Sequence, residues 1–112
     1  MEKHEVLSAL AAIAHETRLD IYRLLVVAGP AGLAAGSIAE RIGIAPATLS
    51  FHLKELKNAG VVSCRRDGRS LIYAPEFAAM EAVVGFLTAN CCTGAESCSG
   101  APTEDAKACS AS

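Results

Sequence analysis

Two short helix patterns joined by one tight turn constrain the fold of this chain most. They occupy the string SIAERIGIAPATLSFHLKELKNAG, residues 37–60. Ser37 stands three residues before Glu40, a capping-box spacing that predicts a helix of about two turns ending at Gly43. Pro46 suits the first position of the next helix. The inward-facing residues of that second helix are predicted to be Leu49, Leu53 and Leu56. Two short helices at this spacing predict a helix-turn-helix.

The apolar period changes directly after these helices. The strings VVSCRR and SLIYA flank Asp67 and Gly68, a dipeptide that favours the tight turn of a β-hairpin. Arg66 and Arg69 then lie beside the tip of the hairpin. A hairpin at this place is a wing, so the pattern predicts a winged helix-turn-helix.

Further helix patterns stand on both sides of this unit. EVLSALAAIA at residues 5–14 and HETRLDIYRLLVVAG are both amphipathic, and Gly29 with Pro30 ends the second. PEFAAMEAVVGFLTAN begins at Pro75, and its apolar stripe is formed by Phe77, Met80, Val84 and Leu87. Aromatic residues make up only 4% of the chain, so the core must consist mainly of aliphatic side chains, which favours helices. The predicted fold is mainly α with a small β-hairpin, in a single domain at residues 1–90.

Charge is distributed unevenly along the chain, although the net charge is only −2. Residues 41–70 carry six basic and two acidic side chains, whereas both flanking segments are net acidic. A basic segment on a helix-turn-helix and wing predicts a surface that binds double-stranded DNA. The residues predicted to face DNA are Ala47, Thr48, Ser50, Phe51, His52 and Lys54 on the second helix of the motif and Arg65, Arg66 and Arg69 on the wing. For His52, an internal hydrogen bond that orients the helix is an equal alternative.

Taken together, the strings HETRLDIYRLL, LSFHLKELKNAGVV and RRDGRSLIY resemble the ArsR/SmtB family of winged-helix metalloregulatory repressors. The resemblance covers about residues 5–90. It implies a homodimer joined through the first and last helices, which binds operator DNA and is released by a metal or metalloid. No motif brings a nucleophile, a base and an orienting group together, so no enzymatic activity is predicted.

The resemblance also directs attention to the string ANCCTGAESC, which follows the last helix. One arsenic site of the family would require thiols where this chain has Ala34 and Gly36, and a zinc site would require histidines that the last helix lacks. The remaining thiols, Cys91, Cys92 and Cys98, resemble the site of an arsenic-responsive subgroup. Residues 91–98 are therefore predicted to be an inducer-binding segment.

The number of clustered thiols predicts the kind of ion that they bind. Thiolates select soft ions, and a structural zinc site usually has four tetrahedral ligands. Trivalent arsenic and antimony keep a lone pair, so three sulfurs in a pyramid satisfy them, and As(III) or Sb(III) is the predicted inducer. Adjacent cysteines cannot both point at one ion from a regular helix, so the chain is expected to turn at Cys91 and Cys92. One chain is expected to supply all three thiols, because a flexible loop of six residues closes at little entropic cost, and a site shared across the dimer is the alternative.

Several alternatives to a metalloid-responsive repressor fit the same residues. The repressor could sense cadmium, zinc or lead, or oxidation that joins Cys98 to one of the adjacent pair. A protein of another class, a thiol-based metalloid carrier, would use the cysteines and leave the wing without a role. Cys109 is predicted to be a spectator, and Cys64 a small buried apolar residue.

The remaining features concern the end of the chain and its location. Residues 99–112 are small and polar without periodicity, which predicts a disordered tail. No apolar stretch of about 18 residues occurs, and the first ten residues lack a signal-peptide layout. These features predict a cytoplasmic protein that does not enter the membrane, with reduced thiols.

Overall fold

The computed structural model describes residues 1–94, which form five helices and a three-stranded antiparallel sheet. The elements in chain order are α1 (Lys3–Ile13), α2 (Glu16–Ala28), β1 (Leu33–Ala34), α3 (Ala35–Ile42), α4 (Pro46–Asn58), β2 (Val62–Asp67), β3 (Ser70–Pro75) and α5 (Phe77–Thr88). The mainly helical fold with a wing is confirmed. Within these residues, no helix is both long enough and apolar enough to span a bilayer.

The helix boundaries follow from local chemistry in most places. The imidazole Nδ1 of His15 accepts a hydrogen bond from the backbone N–H of Thr17 at 3.2 Å and so caps α2. Gly29 ends α2 with a φ of +87°, and Pro46 occupies the first turn of α4, both as predicted.

The start of α3 differs from the prediction. The helix begins at Ala35, so Ser37 lies inside it instead of capping it, and the actual N-cap Ala34 makes no side-chain capping bond. The reason is the short strand β1, which the sequence did not predict. Ala34 pairs with Ile72, and Leu33 with Tyr73, so the sheet fixes the chain immediately before α3. The predicted capping box is therefore wrong.

The wing has the predicted strands but a turn shifted by one residue. Asp67 pairs with Ser70, so Gly68 and Arg69 are the two turn residues, instead of Asp67 and Gly68. Gly68 has a φ of +64°, the left-handed conformation that glycine adopts without steric cost. Arg69 consequently stands at the tip of the wing rather than beside it.

A single aliphatic core lies between the helices and the sheet. The three predicted leucines of α4 are each no more than 1% exposed. They belong to one cluster with Ile21 and Leu25 of α2, Ile38 of α3 and Val61 before β2. Burial of this stripe turns the opposite face of α4 toward solvent.

The two terminal helices leave apolar residues uncovered. In α1, Val6 is buried, whereas Leu7 and Leu10 are 59% and 39% exposed. In α5, Val83 is buried, whereas Val84 and Leu87 are 52% and 60% exposed. The predicted stripe of α5 is thus not covered within one chain.

Candidate nucleic-acid interface and thiol segment

The outer face of α4 presents small, polar, aromatic and basic groups to solvent. The exposed residues of the predicted set are Ala47, Thr48, Ser50, Phe51 and Lys54. Phe51 is 56% exposed and is the one large apolar side chain of α4 that faces solvent to this extent. These residues offer hydroxyl, ammonium and apolar contacts on one surface of a helix, which is what recognition of base edges and phosphates needs.

The wing carries the three predicted arginines, all of them exposed. Arg66 lies in β2 opposite Leu71, and Arg69 lies at the tip. Arg65 has an additional role, because its Nη2 donates a hydrogen bond to the carbonyl oxygen of Ala31 at 2.8 Å. This bond ties the wing to the loop between α2 and β1.

His52 occupies a different position from its neighbours on α4. Its side chain is buried, with only 8% of its surface exposed, and its Nδ1 accepts a hydrogen bond from Nε of Arg18 at 3.1 Å. Of the two roles expected for His52, the structure favours the internal hydrogen bond. Burial, and then the charges of Arg18 and His15, lower the pKa of His52, so the neutral ring is favoured.

Arg18 is a functional candidate that the sequence did not single out. Its guanidinium Cζ lies 5.6 Å from the centre of the Phe51 ring, a cation–π distance. The ring of His15 lies 4.9 Å from that of His52. Arg18 and His52 are 34 residues apart, so no sequence periodicity could have paired them.

The thiol segment begins just after α5. The helix ends at Thr88, and Asn90 and Cys92 adopt φ values of +60° and +66°, which are uncommon for residues other than glycine. The expected turn at Cys91 and Cys92 is confirmed. It brings their Sγ atoms to 3.1 Å, with Cys91 exposed and Cys92 half-buried.

The predicted three-sulfur site lies only partly within the described residues, and of its adjacent pair Cys91 is counted among the free cysteines. Cys98, Cys109 and the predicted tail lie outside the described residues. Within residues 1–94, no group of three or more His, Cys, Asp or Glu side chains could hold a metal ion. The full ligand set therefore stays a prediction.

Cys64 lies apart from this segment, in β2. It is half-buried rather than fully buried and pairs with Tyr73 across the wing. Burial, followed by a hydrogen bond with the Cys64 thiol, raises the pKa of Tyr73. This contact is structural and gives Cys64 no link to the thiols after α5.

Comparison with known proteins places this geometry in a family. A helix-turn-helix domain model matches residues 13–65. The nodulation protein NolR of Rhizobium meliloti is 33% identical over 91 residues, which cover 78% of this chain and 72% of NolR. An ArsR-like transcriptional regulator from Rhodococcus sp. RHA1 superposes with a TM-score of 0.67 at 30% identity, covering 75% of this chain and 76% of that one. The chain belongs to the ArsR/SmtB family of winged helix-turn-helix transcriptional regulators.

Two further relatives define how far the likeness extends. The regulator YceK of Bacillus subtilis is 39% identical over 59 residues, which span 53% of this chain and 58% of YceK. The winged helix-turn-helix domain Mb0332 of Mycobacterium bovis, described as homodimeric and DNA-binding, matches with a TM-score of 0.63 at 27% identity and covers 76% of this chain and 77% of that one. The range matched by the helix-turn-helix model contains α4 and ends in β2, the first strand of the wing.

Proposed function

We propose that this family member is a dimeric repressor that binds operator DNA and is released when As(III) or Sb(III) binds Cys91, Cys92 and Cys98. The observation that carries the inducer assignment is the 3.1 Å approach of the first two sulfurs at the end of α5. Cys98 enters on the sequence pattern alone.

DNA binding is supported by the exposed face of α4 and the wing arginines. α4 would enter the major groove, where Thr48 and Ser50 can hydrogen-bond and Phe51 can contact a thymine methyl group. Arg66 and Arg69 would reach phosphates or the adjoining minor groove. Two recognition helices of a dimer would read half-sites about 34 to 36 Å apart, which predicts a near-palindromic operator.

Dimerisation is supported by the uncovered apolar residues of the terminal helices. Leu7, Leu10, Val84 and Leu87 are all large apolar side chains, each at least 39% exposed. A soluble monomer rarely exposes several such residues on adjacent helices. α1 and α5 are in contact with each other, so a second copy would cover both together.

Release would follow from the position of the thiols. The backbone N–H of Cys91 donates to the carbonyl oxygen of Thr88 at 3.0 Å, so the thiol segment is bonded directly to the last turn of α5. Drawing three sulfurs onto one ion would reshape this segment and α5 with it. If α5 forms the dimer interface, the two DNA-binding faces then change their relative placement. A coupling of about 1 to 3 kcal/mol would weaken operator affinity about 5- to 150-fold.

The test is an operator titration with the reduced full-length chain, in which fluorescence anisotropy reports the complex. Arsenite and antimonite should release the operator, and zinc, cadmium and lead serve as competing soft ions. Cys91→Ser, Cys92→Ser and Cys98→Ser should each bind operator as tightly as the wild type and resist release. Cys64→Ser is the matched control and should be released normally.

Other outcomes lead to different conclusions. Unchanged arsenite release in all three cysteine variants would refute the thiol site. Release by cadmium, zinc or lead alone, or by a mild thiol oxidant alone, would identify a different signal at the same segment. Absence of specific duplex binding by the wild type, with arsenite still bound, would leave the carrier function instead.

A further inference from the structure

We propose that Arg18 and His52 form a positioning pair that fixes the rotation of the recognition helix α4 and thereby presents Phe51 to DNA. The proposal rests on operator binding, the first part of the proposed function. It gives α2 a role in DNA binding that is separate from the roles proposed for the exposed face of α4, the wing arginines and the thiol segment.

The pairing has one chemically allowed form. The Nε of arginine is only a donor, so Nδ1 of His52 must offer its lone pair across the 3.1 Å contact. The imidazole is therefore neutral, with its proton on Nε2. A protonated ring would carry a proton on both nitrogens and would place a second cation against the guanidinium. The hydrogen bond consequently exists only while His52 is uncharged.

The hydrogen bond between Arg18 and His52 gives α4 a directional restraint that its apolar packing lacks. Leu49, Leu53 and Leu56 anchor the helix to the core, but hydrophobic contacts have no preferred direction. A hydrogen bond weakens steeply when its angle changes, so the Arg18–His52 contact restrains rotation of α4 about its own axis. Apart from Tyr22, whose hydroxyl is its one polar side-chain group, His52 is the only buried residue within residues 1–94 with a polar side chain.

Phe51 connects this restraint to the DNA face. Its ring packs edge-on against His52 at 5.6 Å and stands at cation–π distance from Arg18. Both contacts involve members of the pair, and more than half of the ring remains exposed to solvent. A rotation of α4 would move the exposed edge of this ring relative to the groove that it is proposed to enter.

The groups whose charges act on the His52 ring are basic. Arg18 on α2 and His15 at the start of α2 face it, and both disfavour its protonation. Glu55, one turn further along α4, lines a groove with Arg18 on the α1 side. Acidification is therefore expected to break the pair rather than to strengthen it.

The test compares operator affinity for variants of both residues. His52→Asn keeps an acceptor near Nδ1 but cannot be protonated, whereas His52→Leu fills a similar volume without an acceptor. Arg18→Met keeps the apolar stem and removes the donor, and Arg23→Met on the exposed side of α2 is its matched control. Urea unfolding of each variant confirms that it is folded at the assay temperature.

At pH 7.5, His52→Leu and Arg18→Met should each weaken operator binding about 10- to 150-fold, the range expected for a lost hydrogen bond to a charged group. The double variant should be no weaker than the worse single variant, because both remove the same contact. His52→Asn and Arg23→Met should stay within about twofold of the wild type. Between pH 7.5 and 5.5, the wild type should lose affinity and His52→Asn should lose less.

Three results would overturn the positioning role. They are wild-type affinity in His52→Leu or Arg18→Met, additive losses in the double variant, and the same loss of affinity on acidification in His52→Asn as in the wild type. If His52→Leu does not fold, the Asn variant and Arg18→Met still decide. Failure of the wild type itself to bind any operator would instead reject the proposed function.

Discussion

Replacing Gly32 with alanine tests how tightly the wing is held against the loop that follows α2. Gly32 has a φ of +77°, and a Cβ added there would lie 2.6 Å from the carbonyl oxygen of Tyr73 and 2.9 Å from Cγ2 of Ile72. Gly43 provides the matched control. It has a φ of +82°, and a Cβ at this position would have no neighbour within 4 Å.

The two substitutions separate backbone strain from the close approach. A left-handed conformation costs a residue with a Cβ about 1 to 2 kcal/mol, which both variants incur. Only Gly32→Ala must also push β3 away, and overpacking of this kind costs about 1 to 3 kcal/mol more. The free energy of unfolding should therefore fall by about 1 to 2 kcal/mol in Gly43→Ala and by about 2 to 5 kcal/mol in Gly32→Ala.

Urea unfolding followed by circular dichroism measures both values, at one protomer concentration because dimerisation shifts the apparent stability. Equal slopes against urea concentration would show that the native states are comparably compact. Losses of stability that agree within about 0.5 kcal/mol in the two variants would refute the close approach of Gly32 to β3.

Three further perturbations follow from single observations. Among residues 1–94, the buried hydroxyl of Tyr22 has no hydrogen-bond partner, so Tyr22→Phe should leave the free energy of unfolding unchanged or raise it by up to about 1 kcal/mol. A decrease of more than about 1 kcal/mol would indicate that the hydroxyl has a partner. Burial lowers the pKa of His52, so below about pH 6.5 the unfolded chain binds more protons than the folded chain. The free energy of unfolding should therefore fall from pH 7 to pH 5, and it should fall less in His52→Asn. Leu87→Lys should shift the sedimentation coefficient of the dimer toward that of the monomer. Val27→Lys is the control, at a residue of α2 that is 79% exposed, and should cause no such shift. Equal sedimentation of the two variants would argue against α5 as the interface.

Sequence periodicity predicted the elements that are determined locally. Gly29 and Pro46 mark helix boundaries through their own backbone preferences, and the leucine stripe of α4 is long enough to define its buried face. The two residues of β1 carry no such signal. Their pairing with β3, about 40 positions later, moved the start of α3 and was beyond the reach of a capping rule.

The candidate site was predicted as a set of residues but not as an arrangement. The exposed groups of α4 follow from the buried ones, and the turn at Cys91 follows from the geometry of adjacent cysteines. The role of His52 depends on Arg18, a partner distant in sequence that lies on another helix. The proposed covering of the apolar face of α5 would come from a second molecule, which the pattern of one chain does not describe.

The bond from Arg65 to Ala31 and the pairing of β1 with β3 have a consequence for signalling. Together they attach the wing to the segment that ends α2 and begins α3, so the wing has no hinge of its own. We expect the winged unit of each protomer to bind and leave the duplex as one rigid body. Ion binding at the thiols would then change the spacing between the two winged units, while the shape of each winged unit stays constant.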